Sequence, residues 1–383
     1  MSKKRILICI DWFEPGFKAG GPIRSVVNIV NALKEHYEFY ILTSAYDLGD
    51  EEPYPDVIIN EWFDQDGLFL KYLDNKKLHY SSIRRNILEI NPDMIYLNSL
   101  FSKHFTLFPL LIARGNGYKV VLAPRGMLGV ESLLIKKGKK SVFLRISKLL
   151  GMYKSVIWHA TSEEEIRNIK EVYGKRAKIR FAQNIAQSQK LKLDYILDKK
   201  KTNTVRFVYM SRIAPIKNLH LAILAVKQLK SDKQIYFDIF GNIEDQEYFD
   251  SFKDEIHNTD QVEIAYKGLV PPADLPEIYA NSDFLVLPTK HENYGHAIVE
   301  AWSNGCPVII SRKTPWKNLH VQDLGWDVDL KNFDNLVNAM QEAVDLDFAS
   351  YVTMVTSSYN YFSKVICDNE VIEANRKLFA DEN

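Results

Sequence analysis

This chain of 383 residues has few cysteines and no long apolar run. Its three cysteines are widely spaced and odd in number, so they predict no disulfide framework and fit a reducing compartment. The apolar run near the N-terminus ends at Asp11 after five residues, which is too short for a signal peptide. No run approaches the ~18 apolar residues that predict a membrane span. We therefore expect a cytoplasmic protein without a transmembrane helix.

Several ligand-binding signatures are missing as well. The sequence has neither the G-x-G-x-x-G spacing of a dinucleotide site nor the G-x-x-x-x-G-K-[ST] of a P-loop. Its His and Cys residues lack zinc spacing, and we interpret the D-x-D pairs at 327–329 and 345–347 as surface features rather than metal ligands. No basic module interleaved with aromatic residues predicts binding to nucleic acid. We expect no metal and no bound cofactor.

Charge is plentiful but unevenly distributed along the chain. The formal net charge is zero, yet residues 1–190 contain 29 Lys and Arg against 20 Asp and Glu, and residues 191–383 contain 20 against 29. The first part therefore carries +9 and the second −9. This asymmetry and the chain length both indicate two units with different partners.

Short apolar runs alternate with helix-length segments, a pattern typical of parallel α/β sheets. We predict two Rossmann-like, doubly wound domains facing a central cleft, with ligands at the carboxyl ends of the strands. An N-terminal domain would cover 1–186, a polar linker 187–203, and a C-terminal domain 204–364. A last helix, about 365–383, would pack back on the N-terminal domain. The predicted strands are 5–10, 39–43, 94–97, 119–123, 156–160, 205–210, 235–240, 262–267, 284–287 and 308–311.

Two glutamates eight positions apart, Glu292 and Glu300, frame the most informative segment. An apolar run ending at Leu287 precedes a polar loop with Gly295, and the helical pattern 297–302 follows. This strand, loop and helix place Glu292 beside a helix N-terminus, which attracts phosphate, and Glu300 about one and a half turns into the helix. Carboxylates accept hydrogen bonds from hydroxyls, so a sugar and a ribose on either side of a diphosphate fit this spacing. The alternative is an ordinary acidic helix start.

Two cations follow the first strand of the second domain. Arg212 leaves the end of that strand, and Lys217 stands five residues later at a helix start. An arginine can bind a diphosphate bidentately and a lysine acts as a point charge; the alternative is a pair of solvated loop cations. Glycines that allow close backbone approach follow other strands, at Gly20, Gly21, Gly241 and Gly268.

Together these residues resemble the retaining glycosyltransferases of family 4, within glycosyl transferases group 1, which have the GT-B fold. The resemblance is closest over 205–311, including the segment 304–311, and weaker over the first 185 residues, with 159–162 and 183–184. It implies that the N-terminal domain binds the acceptor and the C-terminal domain the nucleotide sugar. It also implies that Arg212 and Lys217 hold the diphosphate of a UDP- or GDP-sugar, that Glu300 binds the ribose, and that Glu292 contacts the donor sugar. The loop residues that it places against the donor are Gly268, Leu269, Val270, Asn293, Tyr294, Gly295 and His296.

Arg125 departs from the family pattern. Many members carry a histidine after a mid-domain strand, and here the matching segment, 122–127, has an arginine instead. The acid/base role of that histidine is therefore not transferred. Arg125 would bind the donor sugar or an anionic acceptor, or it is a structural loop arginine.

The segment 136–154 contains seven cations and no acid, and Val142, Ile146, Leu149 and Tyr153 recur in it at helical spacing. The pattern predicts a basic amphipathic helix that fits an anionic membrane surface. The alternative is a core-packed helix with a solvated basic face. The first interpretation predicts peripheral contact with the inner face of the cytoplasmic membrane, where a lipid-linked saccharide is available.

The sequence thus predicts a retaining, metal-independent hexosyltransferase in the synthesis of a bacterial surface polysaccharide such as a capsule, O-antigen or exopolysaccharide. Its substrates would be a UDP- or GDP-sugar and a saccharide or polyprenyl-linked acceptor. Two alternatives stay open. A sugar-nucleotide epimerase of the same fold would leave the basic helix unexplained, and a non-catalytic nucleotide-sugar-binding subunit would use the donor residues for binding alone.

Overall fold

The computed structural model describes residues 3–129, 132–133, 137–187, 190–200, 203–366 and 368–381. The chain folds into two units. Unit 1 contains the residues up to Ile185 together with those from Asn369 onward, and unit 2 extends from Ala186 to Asp368. Each unit has a sheet of mainly parallel strands connected by helices. The predicted class of two doubly wound α/β domains is confirmed.

The strands of unit 1 are β1 Lys4–Cys9, β2 Tyr37–Ser44, β3 Phe63–Gln65, β4 Leu68–Leu73, β5 Met94–Leu97, β6 Lys119–Leu122, β7 Ile157–Ala160 and β8 Lys178–Phe181. They form one sheet in the order β3-β4-β2-β1-β5-β6-β7-β8, in which only β3 and β4 pair antiparallel among the described strands. Its helices before the chain enters unit 2 are α1 Gly21–Leu33, α2 Tyr80–Ile90, α3 Phe108–Asn116, α4 Lys137–Leu149 and α5 Glu163–Tyr173. Every residue of β5 and β7 is buried, as expected for parallel strands covered on both faces.

The strands of unit 2 are β9 Thr204–Met210, β10 Gln234–Phe240, β11 Val262–Gly268, β12 Phe284–Leu287, β13 Val308–Ser311 and β14 Gly325–Val328. Their order is β11-β10-β9-β12-β13-β14, with parallel neighbours. The helices are α6 Leu193–Asp198, α7 Leu219–Val226, α8 Gln246–Asp250, α9 Leu275–Asn281, α10 His296–Ser303, α11 Asp334–Asp345 and α12 Phe348–Tyr361. Short 3₁₀ and π turns cover Asn75–Lys77, Lys103–Leu107, Lys253–Glu255, Pro272–Asp274, His320–Gln322 and Phe362–Ile366.

All of the predicted strands are present, with ends that differ by one or two residues at most positions. The sequence pattern did not predict β3, β4, β8 and β14. The first and third are edge strands whose side chains are mostly exposed, so they lack an apolar signal. In β4 and β14 a charged residue, Lys71 or Asp327, interrupts the apolar run.

Two segments outside the sheets belong to different units. The stretch 187–203, expected to be a linker, contains α6, and Ile196 of that helix is fully buried in the core of unit 2. The C-terminal segment forms helix α13, Asn369–Lys377, and belongs to unit 1. There Phe379 is fully buried, and its ring packs edge-on against Tyr37 and Tyr96 with centroids 5.4 and 5.6 Å apart. These apolar contacts fix the C-terminal segment on unit 1.

Candidate functional site

The loops that carry the predicted donor-site residues of unit 2 all follow strands of one sheet. Because β11, β10, β9 and β12 are parallel neighbours, their carboxyl ends lie at the same edge. Backbone hydrogen bonds connect the loops: Ile213 N–H donates to Asn242 O at 2.7 Å, Gly241 N–H to Gly268 O at 2.8 Å, and Lys290 N–H to Ile216 O at 2.8 Å. The structure therefore brings these loops together on a continuous backbone scaffold.

Lys217 and Glu292, which are 75 positions apart in the sequence, form an ion pair. Nζ of Lys217 lies 2.5 Å from Oε2 of Glu292, and the side chains are only 12% and 16% exposed. Solvent screens such a pair less than it screens charges at an open surface. Asn218, in the left-handed conformation at φ 59°, leads into α7 and donates from Nδ2 to Pro288 O at 3.2 Å. The structure thus joins a predicted phosphate cation to a predicted sugar-binding carboxylate.

Arg212 has a carboxylate partner that the sequence analysis did not identify. Its Nη1 contacts Oε2 of Glu244, and the two side chains are 37% and 41% exposed. Glu244 lies in the loop after β10, and its N–H donates to Ile213 O at 3.1 Å. The sequence did contain a signal for this partner: Glu244 lies three positions beyond Gly241, in a loop that the strand order places beside Arg212.

Two of the predicted glycines are required by close approach. A Cβ atom at Gly241 would lie 1.8 Å from the backbone oxygen of Ser211, so any larger residue would push the loops after β9 and β10 apart. Gly295 has φ 84°, and a Cβ there would lie 2.7 Å from Cδ1 of Ile298 and 3.2 Å from Cγ of Glu292. Glycine at 295 therefore lets the Glu292 loop turn directly into α10.

The segment containing Glu292 and Glu300 has the predicted form of strand, loop and helix. β12 ends at Leu287, Gly295 caps α10, and Glu300 lies half-buried on that helix. The loop residue Tyr294 is buried, and its carbonyl oxygen accepts a hydrogen bond from Nε1 of Trp316 at 2.6 Å. This contact fixes the loop against unit 2, and the amino end of α10 carries the positive end of the helix dipole.

The remaining predicted donor contacts lie in three places. Asn293 precedes α10 and His296 is its first residue, while Gly268 ends β11 and Leu269 and Val270 follow it. The Leu269 side chain is exposed and Val270 is half-buried. Gly20 and Gly21, by contrast, belong to unit 1, where Gly20 precedes α1 with φ 68°.

The guanidinium group of Arg125 is bound by unit 1 itself. Arg125 follows β6 in the left-handed conformation, with φ 53°. Its Nε donates to Oδ1 of Asn98 at 2.7 Å, its Nη1 to Oδ1 of Asn184 at 2.5 Å, and its Nη2 to Oη of Tyr96 at 2.8 Å. These acceptors lie on or just after β5 and β8, so Arg125 connects strand ends across the sheet. This arrangement agrees with the structural alternative for Arg125.

A buried histidine extends this network. Oη of Tyr96 lies 2.9 Å from Nδ1 of His159, and Nε2 of His159 lies 2.9 Å from Ala182 O. Because a carbonyl oxygen only accepts, Nε2 carries the proton and Nδ1 accepts from the tyrosine. Burial, together with the Arg125 charge, lowers the pKa of His159 to about 3. Burial also raises the pKa of Tyr96 to about 12. Both groups are therefore neutral at physiological pH.

Glu165 anchors the loop that carries Arg125. Ser162 caps the amino end of α5, since Glu165 N–H donates to Oγ of Ser162 at 3.2 Å. The carboxylate, however, is almost fully buried and accepts from Gly126 N–H at 2.7 Å and from Thr161 N–H at 2.8 Å. This long-range role was not predicted from the sequence, because it depends on how β6 and β7 pair.

Helix α4 has an apolar surface that faces solvent. Val142, Ile146, Leu149 and Leu150 are all exposed, Leu149 by 87%, and we call them the α4 patch. Tyr153 is instead buried, and Phe143 and Leu144 of α4 pack against the core of unit 1. The helix therefore packs on the core with one face, as the alternative from the sequence expects, and exposes these apolar side chains on another. Exposed cations on α4 include Lys139, Arg145 and Lys148. Of the predicted segment 136–154, Lys136 and the side chain of Lys137 lie outside the described residues.

Within the described ranges, no three His, Cys, Asp or Glu side chains converge as metal ligands. The expectation of a metal-independent site stays a prediction. In the same part of the chain, no helix is both long and apolar enough to cross a membrane.

Relatives of known sequence match parts of this chain. It is 26% identical over 227 residues to an uncharacterized 41.2 kDa protein in the cps region of Klebsiella pneumoniae, covering 57% of this chain and 59% of that protein. It is 29% identical over 187 residues to the poly(glycerol-phosphate) alpha-glucosyltransferase of Bacillus subtilis (strain 168), covering 47% of this chain and 25% of that enzyme. The matched region is thus less than two thirds of either relative.

Solved structures share the fold over almost the whole chain. The crystal structure of Anabaena Alr3699/HepE in complex with UDP and glucose has a TM-score of 0.73 and covers 98% of both chains at 15% identity. This likeness confirms the predicted GT-B fold. Residues 196–361 match the family model of Glycosyl transferases group 1. That range contains both ion pairs described above. The resemblance to glycosyl transferases group 1 is thereby confirmed over this range, which is less than half of the chain, and membership of family 4 within that group stays a prediction.

Proposed function

We propose that this protein is a retaining glycosyltransferase in the synthesis of a bacterial surface polysaccharide. It moves a hexose from a UDP- or GDP-sugar to a saccharide or lipid-linked saccharide. The observation that carries the proposal is the Lys217–Glu292 pair, a cation suited to a diphosphate and a carboxylate suited to sugar hydroxyls, 2.5 Å apart. The pair lies at the carboxyl edge of the sheet, where ligands of doubly wound domains bind.

The residues at this edge suit the departure of a nucleoside diphosphate. In the transfer, the bond between the anomeric carbon and the terminal phosphate oxygen breaks, and its electron pair stays on the phosphate. The acceptor oxygen bonds to the same carbon, and its proton goes to the departing phosphate. Arg212, Lys217 and the amino end of α10 stabilise the charge that develops there. Because fixed cations and a helix dipole supply this stabilisation, the proposed reaction needs no metal.

The two glutamates have separate proposed roles. Glu292 accepts hydrogen bonds from hydroxyls of the donor sugar and keeps Lys217 oriented toward the phosphates. Glu300, further along α10, binds the ribose hydroxyls. The base of the donor nucleotide packs against Gly268, Leu269 and Val270.

The comparisons support the substrate classes. The Anabaena structure holds UDP and glucose, and the Bacillus relative is named as an alpha-glucosyltransferase. UDP-glucose is therefore the first donor to test. The Klebsiella relative lies in a cps region, which supports a surface polysaccharide as the product.

The α4 patch supports an acceptor at a membrane. We propose that unit 1 contacts the inner face of the cytoplasmic membrane peripherally, with the four apolar side chains in the interface and the α4 cations at anionic headgroups. Each such cation contributes about 1 kcal/mol near an anionic surface. Burial of these apolar side chains and attraction between opposite charges together bind unit 1 reversibly to the membrane surface. This suits an acceptor that is a lipid-linked saccharide.

A thermal-shift screen of nucleoside diphosphates and nucleotide sugars tests the donor. A ligand present at ~100 times its Kd adds about 2.7 kcal/mol, which raises Tm by about 5–10 °C for a unit of this size. Transfer assays with and without a polyprenyl-linked saccharide then test the reaction. A product that retains the donor's anomeric configuration supports the proposal. An epimerised nucleotide sugar formed without acceptor supports the epimerase instead, and the absence of any nucleotide-dependent shift overturns the proposal.

A further inference from the structure

Each of the two proposed phosphate cations has a carboxylate partner within unit 2. Glu292, beside Lys217, already has a role toward the donor sugar. Glu244, beside Arg212, has no role in the proposed function. Its negative charge offsets the positive charge of Arg212, however, and this directly affects the affinity of the site for phosphate. The Arg212–Glu244 pair is also more open to solvent than the Lys217–Glu292 pair, so a ligand phosphate can reach Arg212 without first displacing buried groups.

The backbone, rather than a flexible side chain alone, brings Glu244 to this position. Ile213 and Ile243 form a parallel bridge between the loops after β9 and β10. Ile213 N–H donates to Asn242 O at 2.7 Å, and Glu244 N–H donates back to Ile213 O at 3.1 Å. Ile213 is fully buried. These backbone contacts hold the main chain of Glu244 beside the loop that carries Arg212.

The donor and the product differ in charge at the phosphate next to these residues. In a nucleotide sugar the terminal phosphate is a diester-like group with one charge. Loss of the glycosyl group exposes another ionisable oxygen, whose pKa near 6 gives the product almost one extra negative charge at neutral pH. A fixed carboxylate nearby repels that extra charge, and the repulsion acts on the product more than on the donor.

We propose that Glu244 is a specificity-determining residue that weakens binding of the released nucleoside diphosphate relative to the nucleotide sugar. It keeps Arg212 close enough to stabilise the leaving group while lowering the net positive charge that would retain it. The inference rests on the proposed function, because it assigns the phosphate site to a nucleotide-sugar donor. Its effect is on product release and on inhibition by product.

The test compares Glu244→Gln with Glu247→Gln. Glu247 is exposed three residues along the chain, in α8, and has no ion pair among the described side chains, so it makes a control with the same change in charge. Isothermal titration measures the Kd of UDP and of UDP-glucose for both variants and the wild type, with GDP and GDP-mannose as a second pair. We expect Glu244→Gln to bind the diphosphate about three- to ten-fold more tightly and the nucleotide sugar about two- to three-fold more tightly, because the donor phosphate carries about half the charge of the product phosphate. The difference should shrink between ~0.01 M and ~1 M ionic strength.

The outcomes separate this inference from the proposed function. Equal tightening of both ligands, or no tightening, in Glu244→Gln overturns the inference while leaving a nucleotide-sugar site in place. Weaker binding of both ligands shows that Glu244 only positions the Arg212 side chain, and this outcome also overturns the inference. If the wild type binds none of the four ligands, the proposed function fails and this inference fails with it. A response of Glu247→Gln equal to that of Glu244→Gln shows a general charge effect and likewise refutes a specific role.

Discussion

Replacing Arg125 by methionine should loosen the carboxyl edge of unit 1 and leave unit 2 intact. The change removes the donors that bind Asn98, Asn184 and Tyr96 at 2.7, 2.5 and 2.8 Å. The backbone at position 125 is left-handed, with φ 53°, and it strains methionine as much as arginine. The substitution therefore measures only the contribution of the guanidinium group. Hydrogen bonds from a charged group contribute roughly 1.5–3 kcal/mol each, and water replaces part of that at a half-buried site. We expect unit 1 to lose about 3 kcal/mol of its free energy of unfolding.

Two measurements can detect this loss of unfolding free energy. The unfolding transition of unit 1 should move down by about 6–12 °C, given 2–4 °C per kcal/mol for units of 150–250 residues. Hydrogen exchange should accelerate in peptides that cover the ends of β5 and β8, while peptides of unit 2 serve as an internal control. Arg125→Lys, which keeps the charge but reaches fewer acceptors, should fall between the wild type and Arg125→Met.

The opposite pattern would refute this reasoning. If Arg125→Met left the transition and the exchange of those peptides unchanged but abolished transfer, the guanidinium group would be a substrate ligand and the three protein contacts would be incidental. A loss of transfer that follows the loss of stability, with rescue by Arg125→Lys, fits a positioning role.

Three further predictions concern other parts of the chain. Lys217→Ala and Glu292→Gln should each lower kcat/KM for transfer by about 100-fold or more, because they remove groups that act on the donor phosphates and sugar. Each also leaves a largely buried charge without its partner and lowers Tm, so rates are measured well below the unfolding transition; rates within about three-fold of wild type would contradict the assigned roles. Burial keeps the pKa of His159 at about 3 in the native state, so the unfolded chain, with a pKa near 6.5, binds the proton first as pH falls. The stability that the neutral histidine contributes is complete above pH ~6.5 and falls by about 1.4 kcal/mol per pH unit below it. Urea titrations between pH ~6.5 and ~4.5 should show this slope, and His159→Gln should reduce it; equal slopes would exclude His159 as the cause. Leu149→Glu should reduce flotation with anionic vesicles, whereas Val321→Glu, which changes an equally exposed apolar residue of unit 2, should not. Unchanged flotation of Leu149→Glu at low salt would exclude the α4 patch as the contact.

The parts of the site that follow local rules were predictable. Apolar runs marked the buried strands, and glycine after a strand marked the points where backbones approach. For Gly241 the reason is visible, since a Cβ would lie 1.8 Å from Ser211 O. Parallel order then places all such loops at one edge, so Lys217 and Glu292 could be assigned to the same site before their distance was known.

The rest depended on packing between distant segments. Glu244, Glu165 and Asn98 contact their partners across 32, 39 and 27 positions, and nothing local distinguishes them from solvated side chains. The sequence therefore left the role of Arg125 open, since its two interpretations differ only in which oxygens surround the guanidinium group. The α4 patch was ambiguous for a similar reason, because an apolar stripe on a helix does not show whether anything covers it.

The return of the C-terminal segment to unit 1 has a consequence for synthesis. Unit 2 is contiguous in the sequence, whereas unit 1 needs residues from both ends. A ribosome that has translated as far as Asp368 has supplied all of unit 2 but has left Tyr37 and Tyr96 without the ring of Phe379. Unit 1, whose synthesis begins first, is thus the last to complete its fold. A prematurely terminated chain carries an exposed aromatic surface by which quality control can recognise it.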